Sequence, residues 1–144
     1  MGNGTSRPDD YEVPPRSPLV VGEFVNFESP LVNPIALSTD GQTLFVANTP
    51  NNSLMVLATL PVINVMGEIP VGLDPVSLAV QPGTGDSLVW VVNHISDSVS
   101  VVNVATQNVE AVIEVGDEPV NVLFNGDGTY AFVIIQGNKP LQTY

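Results

Sequence analysis

The side chains best suited to chemistry in this sequence lie in short loops between apolar segments. They are Asp74, Asn93, His94, Asp97, Asp117 and Glu118. Together they could form an acidic mouth that attracts cations or contacts a polar ligand. With one histidine and no cysteine, the chain cannot supply a multi-histidine or thiolate metal site by itself. The six residues are therefore a candidate ligand or partner face, and the simpler interpretation is a solvated rim on an acidic protein.

Two further observations suggest structural roles for residues at or near this candidate face. Asn48 and Asn93 each end an apolar segment, where an asparagine side chain commonly hydrogen-bonds the backbone of the following turn. His94, the only histidine, is expected to be an imidazole on a surface loop. These structural roles compete with ligand contact at the same positions.

Motifs that would indicate an enzyme or a metal protein are missing from the sequence. It has no nucleophile elbow, no phosphate-binding P-loop and no His-Glu-x-x-His pair. Calcium takes about six to eight oxygen ligands, whereas the loops "STDG" and "NGDG" each offer one carboxylate. Paired carboxylates of the glycosidase type would have to come from separate loops. We therefore expect no catalytic constellation, no metal site and no cofactor within this chain.

The charge of the chain excludes several classes of partner. Its 15 acidic residues face only Arg7, Arg16 and Lys139, which gives a net charge of -12. Such a surface repels phosphate backbones and anionic membranes, so neither nucleic acid nor membrane surfaces are expected partners. No apolar run approaches the roughly 18 residues of a spanning helix, so membrane insertion is not expected either.

The positions of these loops follow from an internal repeat. The phrase "DGQTLFVAN" at 40–48 returns as "GDSLVWVVN" at 85–93 and, less clearly, as "DGTYAFVII" at 127–135. A proline that opens an apolar segment precedes each phrase, at positions 34, 75 and 119. Each unit contains four segments of strand character, about 43 residues in all, and no helical periodicity. Four strands in a unit of this length are typical of a propeller blade.

The strand patterns within a unit predict how it packs. The innermost strands are expected at residues 34–38, 75–80 and 119–124. The second strands, "LFVA" and "LVWVV", are continuously apolar, as in a strand covered on both faces, and Trp90 is expected to be nearly buried. The third strand of the second unit alternates from Ser98 to Val101, which predicts a half-buried strand.

The repeat units resemble those of the YVTN β-propeller family. "FVAN" and "WVVN" stand at the family's signature, and "VGLDP" and "VGDEP" stand where one blade leads into the next. The third unit departs from the pattern, since Ile135 replaces the asparagine. The resemblance implies an exported protein of the periplasm, the cell surface or the extracellular space.

The predicted organisation is a partial, all-β propeller of four-stranded antiparallel blades. Residues 1–18 form a flexible polar and proline-rich lead-in, and residues 19–144 form the propeller part. Within it we expect an orphan outer strand at 19–30, blades at 33–72 and 74–116, and an incomplete blade at 118–144. About two and a half blades form an open arc, because closed propellers typically need four to eight. The missing C-terminal blades would therefore be the chain's nearest partner, and the flank around Ile134 and Ile135 should lie uncovered.

Three functions remain open from the sequence alone. The first is a non-catalytic binding or scaffold module that presents its loops to a protein or a small molecule, and a structural surface-layer or adhesion component cannot be separated from it by sequence. The remaining one is the propeller portion of a periplasmic oxidoreductase, whose cofactor site would lie beyond residue 144.

Overall fold

Strands make up nearly all of the regular structure. The computed structural model describes residues 30–137 and 142–143, so the predicted lead-in and most of the orphan outer strand at 19–30 lie outside the described residues. A short 3-10 turn spans Thr49–Asn51. The strands are β1 (Ile35–Leu37), β2 (Thr43–Asn48), β3 (Ser53–Ala58), β4 (Asn64–Pro70), β5 (Pro75–Val80), β6 (Leu88–Asn93), β7 (Ser98–Asn103), β8 (Asn108–Glu114), β9 (Pro119–Phe124), β10 (Ala131–Ile135) and β11 (Gln142–Thr143).

The strands form three antiparallel sheets in chain order. The first sheet has the order β1-β2-β3-β4, the second β5-β6-β7-β8, and the third β9-β10-β11. Consecutive strands are therefore joined as hairpins, and β1, β5 and β9 are the first strands of the three sheets. The all-β fold of propeller blades in an open arc, predicted from the repeat, is confirmed.

In the first and third sheets, the turn after the first strand folds around its own aspartate. In the first sheet, Asp40 Oδ1 accepts hydrogen bonds from Ser38 Oγ (2.6 Å) and from the Gln42 amide (2.9 Å). In the third sheet, Asp127 Oδ1 accepts from the Thr129 amide at 2.9 Å and also from the Thr129 hydroxyl. These carboxylates belong to "STDG" and "NGDG", so both loops are hairpin turns whose acid is used by the turn itself.

A core of apolar side chains joins the first two sheets. Successive side chains of a strand point to opposite faces, so alternate residues of β2 and β3 face the second sheet. Phe45, Leu54 and Val56 are fully buried there, against Val89 and Val91 of β6. Each sheet thus supplies half of an interior that neither could form alone.

A second core joins the second and third sheets, and Trp90 lies at its margin. Val92 and Val99 pack with Val122 and Val133, all fully buried. Trp90 is only half-buried, so the expectation of near burial is wrong. Its indole N–H donates to Gln81 Oε1 at 2.9 Å, and its ring meets Phe124 edge to face at 5.2 Å between centroids. The ring therefore takes a place where its polar edge can reach a partner.

Strand β7 differs from the expectation for an alternating strand. Both Ser98 and Ser100 are buried together with the valines between and after them. Serine can be buried here because each hydroxyl has an internal partner, the side-chain amide of Asn93. The alternation of Ser and Val therefore marks two different buried faces, not a solvent side and a core side.

Both ends of the arc expose apolar sheet faces. On the first sheet, Ile35 and Leu37 are more than half exposed, and on the third sheet Phe132 and Ile134 are each 41 % exposed. Ile134 thus lies uncovered as expected. Ile135 does not, because it points the other way and packs on the second core.

Two leucines on opposite faces of the first sheet should differ sharply in their contribution to stability. Leu54→Ala should lower the free energy of unfolding by about 2 to 5 kcal/mol, because Leu54 is fully buried. Leu37→Ala should change it by less than about 0.5 kcal/mol, because Leu37 is 56 % exposed. Urea denaturation of the two variants measures both. A similar loss for both would contradict the open arc, since it would mean that the outer face of the first sheet is covered in solution.

Candidate ligand-binding loop face

The six candidate residues lie on one edge of the arc, which we call the loop face. It consists of the linkers between sheets, residues 71–74 and 115–118, and of the turns between second and third strands, residues 48–52 and 93–97. The second and fourth strands of an antiparallel sheet run in the same direction and end at the same edge. The turn after the second strand and the linker after the fourth strand therefore lie together. A linker and the turns beside it form what we call a joint.

Each joint is held by a side-chain oxygen that accepts a linker amide. At the first joint, Asn52 Oδ1 accepts from the Asp74 N–H at 2.9 Å. At the second joint, Asp97 Oδ1 accepts from the Glu118 N–H, also at 2.9 Å. All four residues adopt a positive φ, between 48° and 58°. The carboxylate of Asp97 is therefore part of the loop framework.

Further hydrogen bonds repeat at both joints. The amide of Val71 donates to the Asn52 carbonyl, and that of Val115 donates to the Asp97 carbonyl, each at 2.9 Å. The hydroxyl of Thr49 donates to the Pro75 carbonyl at 2.7 Å. At the equivalent position of the next unit, His94 Nδ1 lies 3.1 Å from the Pro119 carbonyl. A protonated Nδ1 donates this bond, so the half-buried imidazole links two sheets instead of standing free on a loop.

Asn93 is fully buried and bonds to the neighbouring strand. Its Nδ2 donates to Ser98 Oγ at 3.2 Å and to Ser100 Oγ at 3.0 Å. The expected bond to the turn backbone is therefore replaced by bonds to side chains of β7. Gly72 of the preceding linker closes this slot, since a Cβ on Gly72 would lie only 2.6 Å from Asn93 Cγ.

The third sheet fills the same slot with a different side chain. A Cβ on Gly116, the equivalent of Gly72, would lie 2.5 Å from Ile135 Cδ1. The slot requires a close-fitting side chain below a glycine, and either an asparagine with polar partners or an isoleucine meets that requirement. Ile135 can therefore stand where the repeat pattern has asparagine.

In the first sheet the equivalent asparagine belongs to a cluster around Glu68. Glu68 Oε1 accepts from Ser53 Oγ (2.6 Å), Asn51 Nδ2 (3.2 Å) and Asn48 Nδ2 (3.3 Å). These hydrogen bonds, that of Ser53 foremost, hold the pKa of the Glu68 carboxyl below its usual value. Asn48 is thus also occupied by a side-chain partner.

The hydrogen bonds that repeat at both joints form what we call the frame. The side chains that this frame presents to solvent differ between the two joints. At the first joint Leu73 is 52 % exposed and Ile95 is 49 % exposed, and the Ile95 amide donates to the Leu73 carbonyl at 3.2 Å. At the second joint the same bond runs from the Gly137 amide to the Asp117 carbonyl at 3.1 Å. One frame therefore displays an apolar pair at one joint and an acidic residue beside a glycine at the next. A search for chemically active residues misses Leu73 and Ile95, although comparing equivalent repeat positions would have found them.

Two acceptor atoms on this face have no hydrogen-bond partner among the described residues. They are Asp74 Oδ2 and Asn93 Oδ1, both buried. Asp74 and Asn93 lie near each other at the first joint, because Pro75, the residue after Asp74, pairs with Asn93 across β5 and β6. Because both oxygens are buried, neither is displayed to a partner.

Among residues 30–137 and 142–143, no group of three or more His, Asp or Glu residues is arranged to hold a metal ion. No helix in the same part of the chain has the length and apolar character needed to cross a membrane.

Solved structures similar to this chain are propeller-like all-β proteins. Hydrazine synthase from Kuenenia stuttgartiensis matches at a TM-score of 0.67 and 32% identity, covering 81% of this chain and 33% of that one. A functionally unknown protein from Desulfotomaculum acetoxidans matches at a TM-score of 0.63 and 16% identity, covering 76% of this chain and 40% of that one. A 6-phosphogluconolactonase-like protein from Bacteroides uniformis matches at a TM-score of 0.59 and 12% identity, covering 81% of this chain and 44% of that one.

The chain therefore spans about a third of the length of the hydrazine synthase chain that it matches. The two matches of lower identity show the fold alone. No family model matches the sequence, and no curated protein matches it.

Because Gly72 closes the slot that holds Asn93, replacing it by alanine should cost more stability than the same replacement at an open position. Gly72→Ala should destabilise the protein by about 1 to 3 kcal/mol, because the new methyl group would overlap Asn93 and Ser96. Gly126→Ala is the matched control, since nothing lies within 4 Å of the place that its methyl group would take, and it should stay within about 0.5 kcal/mol of wild type. Thermal or urea unfolding distinguishes them. Equal stability of the two variants would show that the linker does not close over Asn93.

The Glu68 cluster predicts a shifted titration. The Glu68 carboxyl should titrate below the ordinary glutamate range, and Ser53→Ala should move its midpoint back up, because the strongest hydrogen bond to the carboxylate is lost. A folded-state pKa below the unfolded value adds stability above the unfolded pKa, and that stability is lost as the pH falls through the folded pKa. Carboxyl ¹³C shifts recorded against pH measure the midpoint. An unchanged midpoint in the Ser53→Ala variant would contradict the assigned cause.

Proposed function

We propose that this chain is part of a non-catalytic β-propeller, built from YVTN-type repeats, that presents its loop face to a protein or small-molecule partner. One observation carries the proposal: the two joints share the same hydrogen-bonded frame but display different side chains. A rigid frame lowers the entropic cost of binding, because the displayed loops do not have to be ordered on contact.

The use of the polar side chains supports a binding role over a catalytic one. Asp97 accepts a linker amide, His94 reaches the Pro119 carbonyl, and Asn93 is buried beneath Gly72. A general acid or base must reach the reacting group of a substrate. Side chains committed to the frame are poorly placed for that task, whereas Leu73 and Ile95 are free to contact a partner surface.

We further propose that additional blades of the same protein cover the two end faces of the arc, and that the protein is exported to the periplasm or the cell surface. The first part is supported by the exposed apolar faces, which use positions equivalent to those buried between the described sheets. It is also supported by the greater length of the matching chains. The location rests on the resemblance to YVTN repeats.

A second candidate is the propeller portion of an enzyme, with its cofactor site on sequence outside residues 1–144. The similarity to hydrazine synthase favours it, since 32% identity extends over 81% of this chain. On this proposal the chain contributes a scaffold, and the loop face binds another part of the enzyme assembly.

A photo-crosslinking residue at position 95 should capture a partner in the native host, because Ile95 is displayed on the loop face. The same residue at position 126, in an exposed turn of the third sheet at the opposite edge, should capture none. Leu73→Ser should remove the crosslink from position 95, since Leu73 lies beside it. Equal capture from both positions, or none from position 95, would contradict the proposed loop face.

The absorption spectrum of the protein purified from that host separates the two candidates. A spectrum without visible bands is expected for a binding module. Haem or quinone absorbance would favour the enzyme assembly.

A further inference from the structure

The outer edge of the first sheet carries a second apolar surface, away from the loop face. We call it the rim patch, and it covers the turn between β3 and β4 and the start of β4. Its members are all more than half exposed: Leu60, Val62, Ile63 and Met66. Val62, at 73 % exposure, is the most exposed large apolar residue of the described chain. Large apolar side chains grouped in one exposed turn are typical of an interaction site.

The next repeat shows that the fold does not require apolar residues here. The turn between β7 and β8 has the sequence "VATQ" at 104–107 and is stabilised by polar side chains. Asn103 Oδ1 accepts from the amides of Ala105 (3.0 Å) and Thr106 (3.1 Å). Asn108 Nδ2 donates to the Thr106 carbonyl at 2.9 Å. The equivalent hairpin of the second sheet, whose turn of four residues is one shorter than the turn at 59–63, is therefore closed by polar side chains. The apolar surface of the first sheet needs another explanation.

Further blades do not supply that explanation. A neighbouring blade covers the face of a sheet, whereas the turn holding Leu60, Val62 and Ile63 lies at the outermost edge, where β3 leads into β4. Val65 itself belongs to the end face, because the register pairs it through Leu57 and Leu44 with Leu37. Covering the end face would nevertheless leave the turn exposed.

The charge around the rim patch indicates the chemistry of its partner. Thr59 Oγ1 donates to the Gly41 carbonyl at 2.7 Å, which brings the exposed Asp40 turn beside the patch. Gln107 Nε2 lies 3.4 Å from the Met66 carbonyl, which brings the turn that precedes Glu110 close to the patch. Residues 30–137 contain no lysine or arginine. Acidic surroundings attract a basic partner and repel anionic lipids and other copies of this chain.

We propose that the rim patch is a docking site for a protein segment that has apolar residues flanked by lysine or arginine. The apolar residues of the segment pack on Leu60, Val62 and Ile63, and its basic residues face the acidic surroundings. This surface is distinct from the loop face, so the proposal stands independently of the function proposed above.

The test uses the 144-residue chain and a fluorescent synthetic peptide in which a leucine and valine block is flanked by lysines. The triple variant Leu60→Thr, Val62→Gln, Ile63→Ser replaces the patch with the chemistry of the next repeat and keeps the net charge. It should bind the peptide at least about tenfold more weakly in fluorescence anisotropy. Wild-type binding should weaken as salt is raised. An unchanged urea midpoint shows that the triple variant is folded.

Two control variants locate the site. Val112→Ser on the outer strand of the second sheet and Leu123→Ser on the exposed end face should both bind the peptide as wild type does. Equal binding by the triple variant, loss on Leu123→Ser, or equal binding of a glutamate-flanked peptide would overturn the proposal. So would binding of wild type to phosphatidylserine or phosphatidylcholine vesicles that the triple variant lacks, or an oligomer of wild type that the triple variant converts to a monomer.

Discussion

The structure depends on the packing of one sheet face against the next. A four-stranded sheet has two faces, and in residues 30–137 no α-helix covers either of them. The interior therefore exists only between sheets, as in the contact of Phe45 and Leu54 with Val91. The linkers must let the sheets approach closely, and Gly72 and Gly116 do so by leaving no Cβ above the slots that hold Asn93 and Ile135.

Much of this architecture could be predicted from the sequence because a repeat supplies several copies of each signal. The innermost strand of the third unit, expected at 119–124, is β9 at Pro119–Phe124. The proline, the turn that contains aspartate and glycine, and the apolar strand mark each unit independently of its exact length. The burial of β7 could not be predicted in this way. Its serines are buried because Asn93 donates to both hydroxyls, and that partnership depends on a residue of another strand.

The candidate site was predictable in position more than in role. Topology alone brings the linkers and the turns to one edge, so the grouping of Asp74 with Asn93 follows from the strand order. What each side chain does there depends on positive φ values and short hydrogen bonds, as at Asp97, which accepts the Glu118 amide. Reading for polar residues also directs attention away from Leu73 and Ile95, because an apolar loop residue becomes notable only when its equivalents in the repeat are polar.

Equivalence between repeats also separates two kinds of exposed apolar surface. Leu37 and Ile134 occupy sheet faces whose counterparts in the neighbouring sheets are buried, so their exposure follows from the open arc. Val62 and Ile63 have counterparts in a turn that is polar and solvent-facing in the next unit. Closing the arc removes the first kind of exposure and leaves the second unchanged. An exposed apolar side chain whose equivalent in the next repeat lies in a polar, solvent-facing turn is therefore the stronger indication of an external partner. The outer edge of the first sheet carries several of them.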